Sequence, residues 1–226
     1  MTVVIPLKDL RAVFGPARDQ GARPTCLAFA ASDAHAAVRG AWKPLSCEYL
    51  FYHAQKRSNL PSESGALLSA VLDALRDPGQ PEEAEWPYLK AMPGPEWSAP
   101  ADIGFLFARN GKSFQPAVDE IIRLLDEGRP ALMVMMLSAA FYRPSPNGLV
   151  NPGQGEQPDH RRRHAVIAVG HGSIGNQRAI LIRNSWGSRW GLDGHAWLTE
   201  AYLAPRLFGS AELLEDVHVL GDPATA

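Results

Sequence analysis

The sequence predicts an α+β protein, with helices in its N-terminal half and an antiparallel β-sheet or half-barrel in its C-terminal half. Up to about residue 105, good helix formers at helical spacing alternate with turns rich in Gly, Pro and Ser. Beyond that point, apolar and β-branched runs bounded by turns are typical of strands. The 226 residues, 46% of them hydrophobic, suffice for a sizeable core and allow one domain or two small ones.

The elements follow in order along the chain. Three helices are predicted in the N-terminal half, at 26–39, 46–57 and 65–76. A further amphipathic helix is predicted between Phe114 and Gly128, opened by Pro116 near its first turn and ended by Gly128. Four strands are predicted, at 130–137 and near 165–171, 178–184 and 194–199.

Cys26 lies where a turn meets the first of these helices. Gly21 and Pro24 exclude regular structure just before it, so Cys26 falls in the first helical turn. Unpaired backbone N–H groups and the helix macrodipole at that position favour a thiolate over a thiol. The same N–H groups, with the Gln20 amide as a second donor, can stabilise an oxygen that gains negative charge. The pattern therefore indicates a nucleophile beside an oxyanion hole.

Two further polar residues accompany predicted strands in the C-terminal half. His164 opens an alternating apolar segment that we interpret as a strand beginning with the histidine, and Asn184 ends another strand. They follow Cys26 by 138 and 158 residues. Each residue alone is more often structural than catalytic, but a Cys, a His and an Asn in this order are typical of nucleophilic catalysis.

The order, spacing and flanking residues resemble those of the papain-like (C1 family) cysteine peptidases. The resemblance covers about residues 17–200 and is strongest in three segments, at 45–50, 85–88 and 184–194. It implies a papain-like two-lobe fold formed by a single domain over residues 1–226. A helical lobe with a central nucleophile helix would span about 10–108, and a β-rich lobe would span about 109–226.

Carried over to the matching positions, the resemblance implies a catalytic triad. Cys26 would be the nucleophile, His164 the general acid and base, and Asn184 the group that orients the imidazole. Gln20 would share the oxyanion hole with the Cys26 backbone N–H, and Trp186 would cover the hydrogen bond between Asn184 and His164. The implied reaction is endopeptidase cleavage of a peptide or protein substrate through an acyl-enzyme, without a metal or other cofactor.

The resemblance also implies a substrate-binding surface. Gly65 would let the substrate backbone approach closely, and Ala66 and Leu67 would line the pocket for the residue two before the cut. Arg162 and Ala165 would face that pocket from the other lobe.

The basic run at 161–163 directly precedes His164, and many relatives carry Asp or Asn where this chain has Arg163. A cation at this position would lower the pKa of the imidazolium and favour acidic substrates. The alternative interpretation of the run is a solvated surface turn.

Composition and cysteine usage bear on partners and location. The net charge of −2 gives no reason to expect nucleic acid or a membrane surface as a partner. The N-terminus lacks a signal-peptide pattern, and no run of eighteen apolar residues occurs. Arg23 stands where secreted relatives begin a disulfide, and Cys47 is interpreted as a structural or idle thiol. We therefore expect a cytoplasmic protein.

Regulation and the reaction itself leave alternatives open. Only 25 residues precede Cys26, which leads us to expect a prokaryotic-type peptidase without a propeptide. Restraint would then come from narrow specificity, from a regulatory partner protein, or from an occluding loop at 143–160. The alternatives to hydrolysis are a non-catalytic papain-fold module that binds peptides or a protein, and a transpeptidase or ligase that uses the same acyl-enzyme.

Overall fold

The computed structural model describes residues 3–217 and places three helices against each face of an eight-stranded sheet. The helices are α1 (Cys26–Val38), α2 (Cys47–Ser58), α3 (Leu68–Arg76), α4 (Val118–Asp126), α5 (Ala139–Tyr142) and α6 (Glu200–Leu203), with a 3₁₀ turn at Arg11–Val13. The strands are β1 (Val4–Asp9), β2 (Ala108–Phe114), β3 (Ala131–Leu137), β4 (Leu149–Val150), β5 (Asp159–Ile174), β6 (Gln177–Arg183), β7 (His195–Thr199) and β8 (Leu207–Val217). The α+β class is confirmed, while the ends of the predicted domain, 1–2 and 218–226, lie outside the described residues.

Local chemistry explains where the predicted helices begin and end. The Ser46 hydroxyl accepts a hydrogen bond from the Tyr49 N–H and so caps α2, which ends at Asn59 in the left-handed region. Helix α3 begins at Leu68, three residues later than predicted at residue 65, because Leu67 is still extended (φ −83°, ψ 141°). Gly128 adopts a φ of +79° just after α4, which fits its predicted role as a helix stop.

The sheet runs in the order β2-β8-β3-β5-β6-β7-β4, with β1 paired beside β5. All pairings are antiparallel except that of β4 with β7, and the sheet stays open rather than closing into a barrel. Strand β5 is central because it pairs with β3, β6 and β1. Residues that β5 carries therefore have the most firmly fixed backbone in the sheet.

Two expectations about the strands were wrong. Strand β5 begins at Asp159, so His164 lies inside the strand rather than at its start, where its backbone pairs opposite Met135. The charged residues at 159–163 hid this extension, because strand pairing uses the backbone while their side chains stay in solvent. Strands β1, β2, β4 and β8 were not predicted either, and β1 adds a strand to the mainly helical N-terminal half.

The sheet separates two hydrophobic cores. One core lies between the sheet and α1, α2 and α3, and the other lies between the opposite face and α4, α5 and α6. Along β5, Ala165 and Ile167 face the first core, whereas Val166 and Ala168 face the second. Helix α1 is buried at every position from 27 to 37, which makes it the central helix of the first core.

A buried ion pair forms at Arg23, where the resemblance implies a disulfide cysteine in secreted relatives. Arg23 donates two hydrogen bonds to the Glu48 carboxylate, at 2.6 and 3.0 Å, and both side chains are almost fully buried. Glu48 also accepts from the Leu89 backbone N–H and the Trp97 indole N–H. The charges are thus paired and hydrogen-bonded, as burial requires. Both cysteines of the chain are free, and Cys47 is buried.

No helix among the described residues is both long and apolar enough to cross a membrane.

Breaking the buried ion pair should destabilise the fold. Replacing Glu48 by Gln leaves the Arg23 charge buried without a counter-ion, which we expect to cost about 3–5 kcal/mol of unfolding free energy. Urea denaturation of Glu48→Gln and of the double variant Arg23→Met/Glu48→Gln measures this. The double variant should recover much of the loss, and a single variant as stable as the parent would contradict the prediction.

Stability should fall steeply in mild acid because several histidines are buried in the neutral form. Burial lowers the pKa of His35 to about 3, and that of His53, His164 and His195 to about 4 each, from 6.5. Between pH 6.5 and 4 the unfolded chain takes up protons that the folded chain refuses, so stability is lost as the pH falls.

At about 1.4 kcal/mol per pKa unit, fully buried His35 alone should contribute a loss on the order of 3 kcal/mol. Urea unfolding at pH 7 and pH 4 should show this loss, and His35→Gln should flatten the dependence. An equally steep dependence in that variant would contradict the assignment to His35.

Candidate active site

A cavity of about 740 Å³ opens between the N-terminal end of α1 and the sheet. Every site residue predicted from the sequence lines it except Asn184, which lies buried behind His164. The lining members of that set are Gln20, Cys26, Gly65, Ala66, Leu67, Arg162, His164, Ala165 and Trp186. Helical and β-rich parts of the chain therefore form opposite walls of one cleft.

Cys26 is the first residue of α1 and is partly exposed at the cleft. Thr25, which precedes it, makes no side-chain cap to the helix, and its hydroxyl instead bonds to that of Tyr88. The first N–H groups of α1 are thus left uncapped by this side chain. His164 and Ala165, on strand β5, line the same cavity as Cys26.

The hydrogen bonds of Asn184 fix the tautomer of His164. The Asn184 Oδ1 accepts from the Ser185 backbone N–H at 2.8 Å, so the amide presents its oxygen toward His164 Nε2, 2.7 Å away. The imidazole must therefore donate from Nε2–H. Its Nδ1 then carries the lone pair, which makes Nδ1 the nitrogen that can accept a proton.

Aromatic rings enclose the imidazole. The Trp186 ring lies 4.8 Å from the His164 ring between centroids, and the Phe141 ring lies 5.7 Å from it. Tyr142 stacks on the outer side of Trp186 at 5.5 Å. These rings leave His164 only 4% exposed and keep water from its bond to Asn184, which strengthens that bond.

Gln20 is held in place by Ser185, the residue that also orients Asn184. The Ser185 hydroxyl donates to Gln20 Oε1 at 2.6 Å, and the Gln20 backbone N–H donates to the Ser185 carbonyl at 2.9 Å. One Nε2 hydrogen of Gln20 is used on the Arg23 carbonyl, so the second is available to the cleft. Ser185 had no role in the sequence analysis, although it stands between two predicted site residues.

Burial opposes a lone charge on either reactive group. Burial raises the pKa of the Cys26 thiol. Hydrogen bonds from backbone N–H groups act in the opposite direction, and among them the one from Ala165 has the largest effect. Burial lowers the pKa of His164 to about 4, with the Asn184 hydrogen bond acting in the opposite direction. Burial therefore acts against a separate charge on either group, while the hydrogen bonds to the Cys26 sulfur and to His164 act the other way.

The predicted substrate-binding residues all lie in the cleft, with one difference in detail. Gly65 faces open space, since a Cβ added there would meet only the Pro24 carbonyl, at 3.9 Å. Arg162 does not point to the same side as Ala165. Its guanidinium instead donates to the Tyr142 hydroxyl at 3.1 Å, near Trp186. The neighbouring Arg163, on the same strand face as Ala165, is the better candidate for that wall.

The expected occluding loop does not cover the cleft. No residue of the segment 143–160 is among those that line the cavity, and part of the segment forms β4, which pairs with β7. The described residues also contain no group of three or more His, Cys, Asp or Glu side chains arranged to hold a metal ion.

An ion triad that sequence reasoning missed joins the two walls behind the site. Asp33, on α1, accepts from Arg183 at 2.8 Å and from Arg18 at 2.7 Å. Arg183 directly precedes Asn184, and its remaining N–H groups donate to the Gly15 and Pro16 carbonyls. The sequence signal was an Asp on the buried face of an apolar helix, a position that demands a cationic partner.

The fold and site define a two-lobed protein in which a helix N-terminal thiol faces an imidazole–amide pair across a cleft. A family model described as papain family cysteine protease matches residues 7–203. The chain therefore belongs to the papain family of cysteine proteases.

Known relatives agree with this assignment. A cysteine protease of Blomia tropicalis is 26% identical over 198 residues, covering 82% of this chain and 57% of the relative. A peptidase C1-like protein of Acanthamoeba polyphaga mimivirus is 27% identical over 206 residues, covering 82% and 65%. The chain thus spans less than two thirds of the length of these relatives. Xylellain, a cysteine protease from Xylella fastidiosa, shares the fold with a TM-score of 0.76 at 20% identity, covering 93% of this chain and 86% of xylellain.

Alkylation of Cys26 should depend on His164. With the thiol pKa raised by burial, the thiolate needs a proton acceptor nearby, so His164→Ala should slow iodoacetamide labelling at pH 7 by roughly tenfold or more. Mass spectrometry of the labelled peptide gives the rate. Cys47→Ser is the matched control and should leave the rate unchanged, since Cys47 is fully buried. Equal rates in His164→Ala and the parent would show that the two groups do not interact.

Proposed function

We propose that this protein is a cysteine endopeptidase that cleaves peptide bonds through a Cys26 acyl-enzyme. The observation that supports this best is the pairing of Cys26 with the His164–Asn184 unit on opposite walls of one cleft, with His164 Nδ1 left as the free base. Membership of the papain family supports the same chemistry.

In the acylation step, the Cys26 sulfur attacks the carbonyl carbon of the scissile bond while its proton passes to His164 Nδ1. The carbonyl oxygen becomes an oxyanion, which the Cys26 backbone N–H and the free Gln20 Nε2–H would stabilise. The imidazolium then gives its proton to the leaving amine as the C–N bond breaks. A thioester and a free amine result.

In the deacylation step, a water molecule gives a proton to His164 Nδ1 and attacks the thioester carbon. The C–S bond breaks, the carboxylic acid product leaves, and the proton returns to sulfur. Asn184 keeps the imidazole in one orientation throughout, because its oxygen accepts from Nε2–H in both protonation states.

Burial makes the proton transfer and the attack interdependent. A thiolate alone or an imidazolium alone is disfavoured in the cleft, since burial raises the pKa of Cys26 and lowers that of His164. Transfer of one proton from Cys26 to His164 creates both charges together. Their mutual attraction offsets the free-energy cost of holding each charge away from water. We therefore propose that the thiolate and the imidazolium form together as a pair.

Endopeptidase rather than exopeptidase action is proposed because the cleft is not closed by segment 143–160. Gly65 on one wall leaves room for an extended peptide backbone to continue past Cys26.

We further propose that the protein works in a reducing compartment such as the cytoplasm. The free cysteines support this, as does the Arg23–Glu48 ion pair at the disulfide position. A regulatory partner protein remains our proposal for how such an activity would be restrained.

The proposed activity is tested with peptides blocked at both ends and incubated in ¹⁸O-labelled water. The parent should cut internal bonds and add one ¹⁸O atom to each new carboxyl group, while Cys26→Ala should lose at least about 10³-fold in kcat/KM. Asn184→Ala should retain partial activity, since it removes only the orienting group.

The rival reactions give different products in the same experiment. Joining of an added amine to the new carboxyl end, without ¹⁸O, would indicate a ligase or transpeptidase. Peptide binding by both the parent and Cys26→Ala with no cleavage by either would indicate a binding module. Either result would overturn the proposal.

A further inference from the structure

The charges that line the cleft are all of one sign. Four arginines, at positions 23, 161, 162 and 163, line the cavity, and no Asp or Glu is among the lining residues. This contrasts with the chain as a whole, which carries a net charge of −2. A concave surface lined by one sign of charge concentrates the field there and favours ligands of the opposite charge.

Three of the four arginines already have carboxylate partners. Arg23 is paired with buried Glu48. Arg161 and Arg162 share Asp159, each at 3.3 Å, and Arg162 also donates to the Tyr142 hydroxyl. The positive charges of these three side chains are therefore already paired with carboxylates of the protein.

Arg163 differs from the other three. Among residues 3–217, no carboxylate forms an ion pair with it. Its guanidinium lies over the Phe208 ring, 5.5 Å from the centroid, and both residues line the cleft. The aromatic face holds the cation in place while its N–H donors stay available.

The pocket beside Arg163 has apolar walls. Ala165 shares a strand face with Arg163, and Val134 pairs opposite Ala165 on β3. Gly209 keeps this region open, because a Cβ there would lie 3.3 Å from the Cβ of Val134 and 3.8 Å from Leu68. A side chain that enters would place its methylene groups against these walls and its end group near the guanidinium.

We propose that Arg163 selects substrates with a glutamate side chain on the amino side of the scissile bond, in the pocket formed with Val134, Ala165 and Gly209. Two methylene groups match the apolar walls, and the carboxylate forms charge-assisted hydrogen bonds to the unpaired guanidinium. This inference rests on the proposed peptidase function and assigns its specificity. Aspartate, one methylene shorter, reaches the cation less well.

The test uses blocked peptides that differ only by Glu, Gln or Lys at each of the three positions before the cut. The parent should cleave the Glu peptide about tenfold faster in kcat/KM at one position, and the ratio should shrink in high salt. Arg163→Gln should bring the ratio close to one, Arg163→Lys should keep part of it, and Arg163→Glu should reverse the preference toward Lys peptides.

Arg161→Gln is the matched control, since it removes the same charge from the same strand but from a residue already paired with Asp159. It should retain the preference for Glu. Equal cleavage of Glu and Gln peptides by the parent, or an unchanged ratio in Arg163→Gln, would overturn the inference while leaving the peptidase function intact. Failure of the parent to cleave any peptide would instead overturn the function on which the inference rests.

Discussion

The ion triad centred on Asp33 is the constraint on which the site depends. Asp33 lies two turns along α1 from Cys26, while Arg183 ends β6 one residue before Asn184. Their direct hydrogen bond, in a region where both side chains are almost fully buried, ties the helix of the thiol to the strand of the amide. Because a buried charge cannot be left without its partner, the two walls of the cleft cannot separate or slide without a large energetic penalty.

Backbone pairing transmits this constraint to the reactive groups. The residues after Arg183 pair with the segment before Cys26, since the Gln20 N–H donates to the Ser185 carbonyl and the Gly187 N–H donates to the Arg18 carbonyl. Arg18 in turn reaches Asp33. The chain therefore forms a closed circuit from Asp33 through Arg183, Ser185 and Gln20 back to α1. This one circuit fixes Asn184, the His164 ring bonded to it, and Gln20 relative to the Cys26 thiol.

Sequence reasoning found the main helices, the central strands and the residues that meet at the cleft, because these depend on local patterns. The turn before Cys26 and the helix after it could be predicted from Gly21, Pro24 and the helix formers that follow. The partners of Asp33 could not be predicted, because a single buried carboxylate demands a cation but does not say which of many arginines supplies it. The same limit applies to Arg163. Its strand appeared to begin at His164, and only the observed register shows that Arg163 shares a face with Ala165.

The fixed geometry also bears on the proposed proton transfer between Cys26 and His164. Burial disfavours a separate charge on Cys26 or on His164. The two charges become favourable only when they form together at short range, because their attraction falls as the distance between them grows. Reactivity then depends on how closely the walls of the cleft are held. In the proposed mechanism, the Asp33–Arg183 pair would therefore influence the proton transfer by fixing how closely the two walls are held.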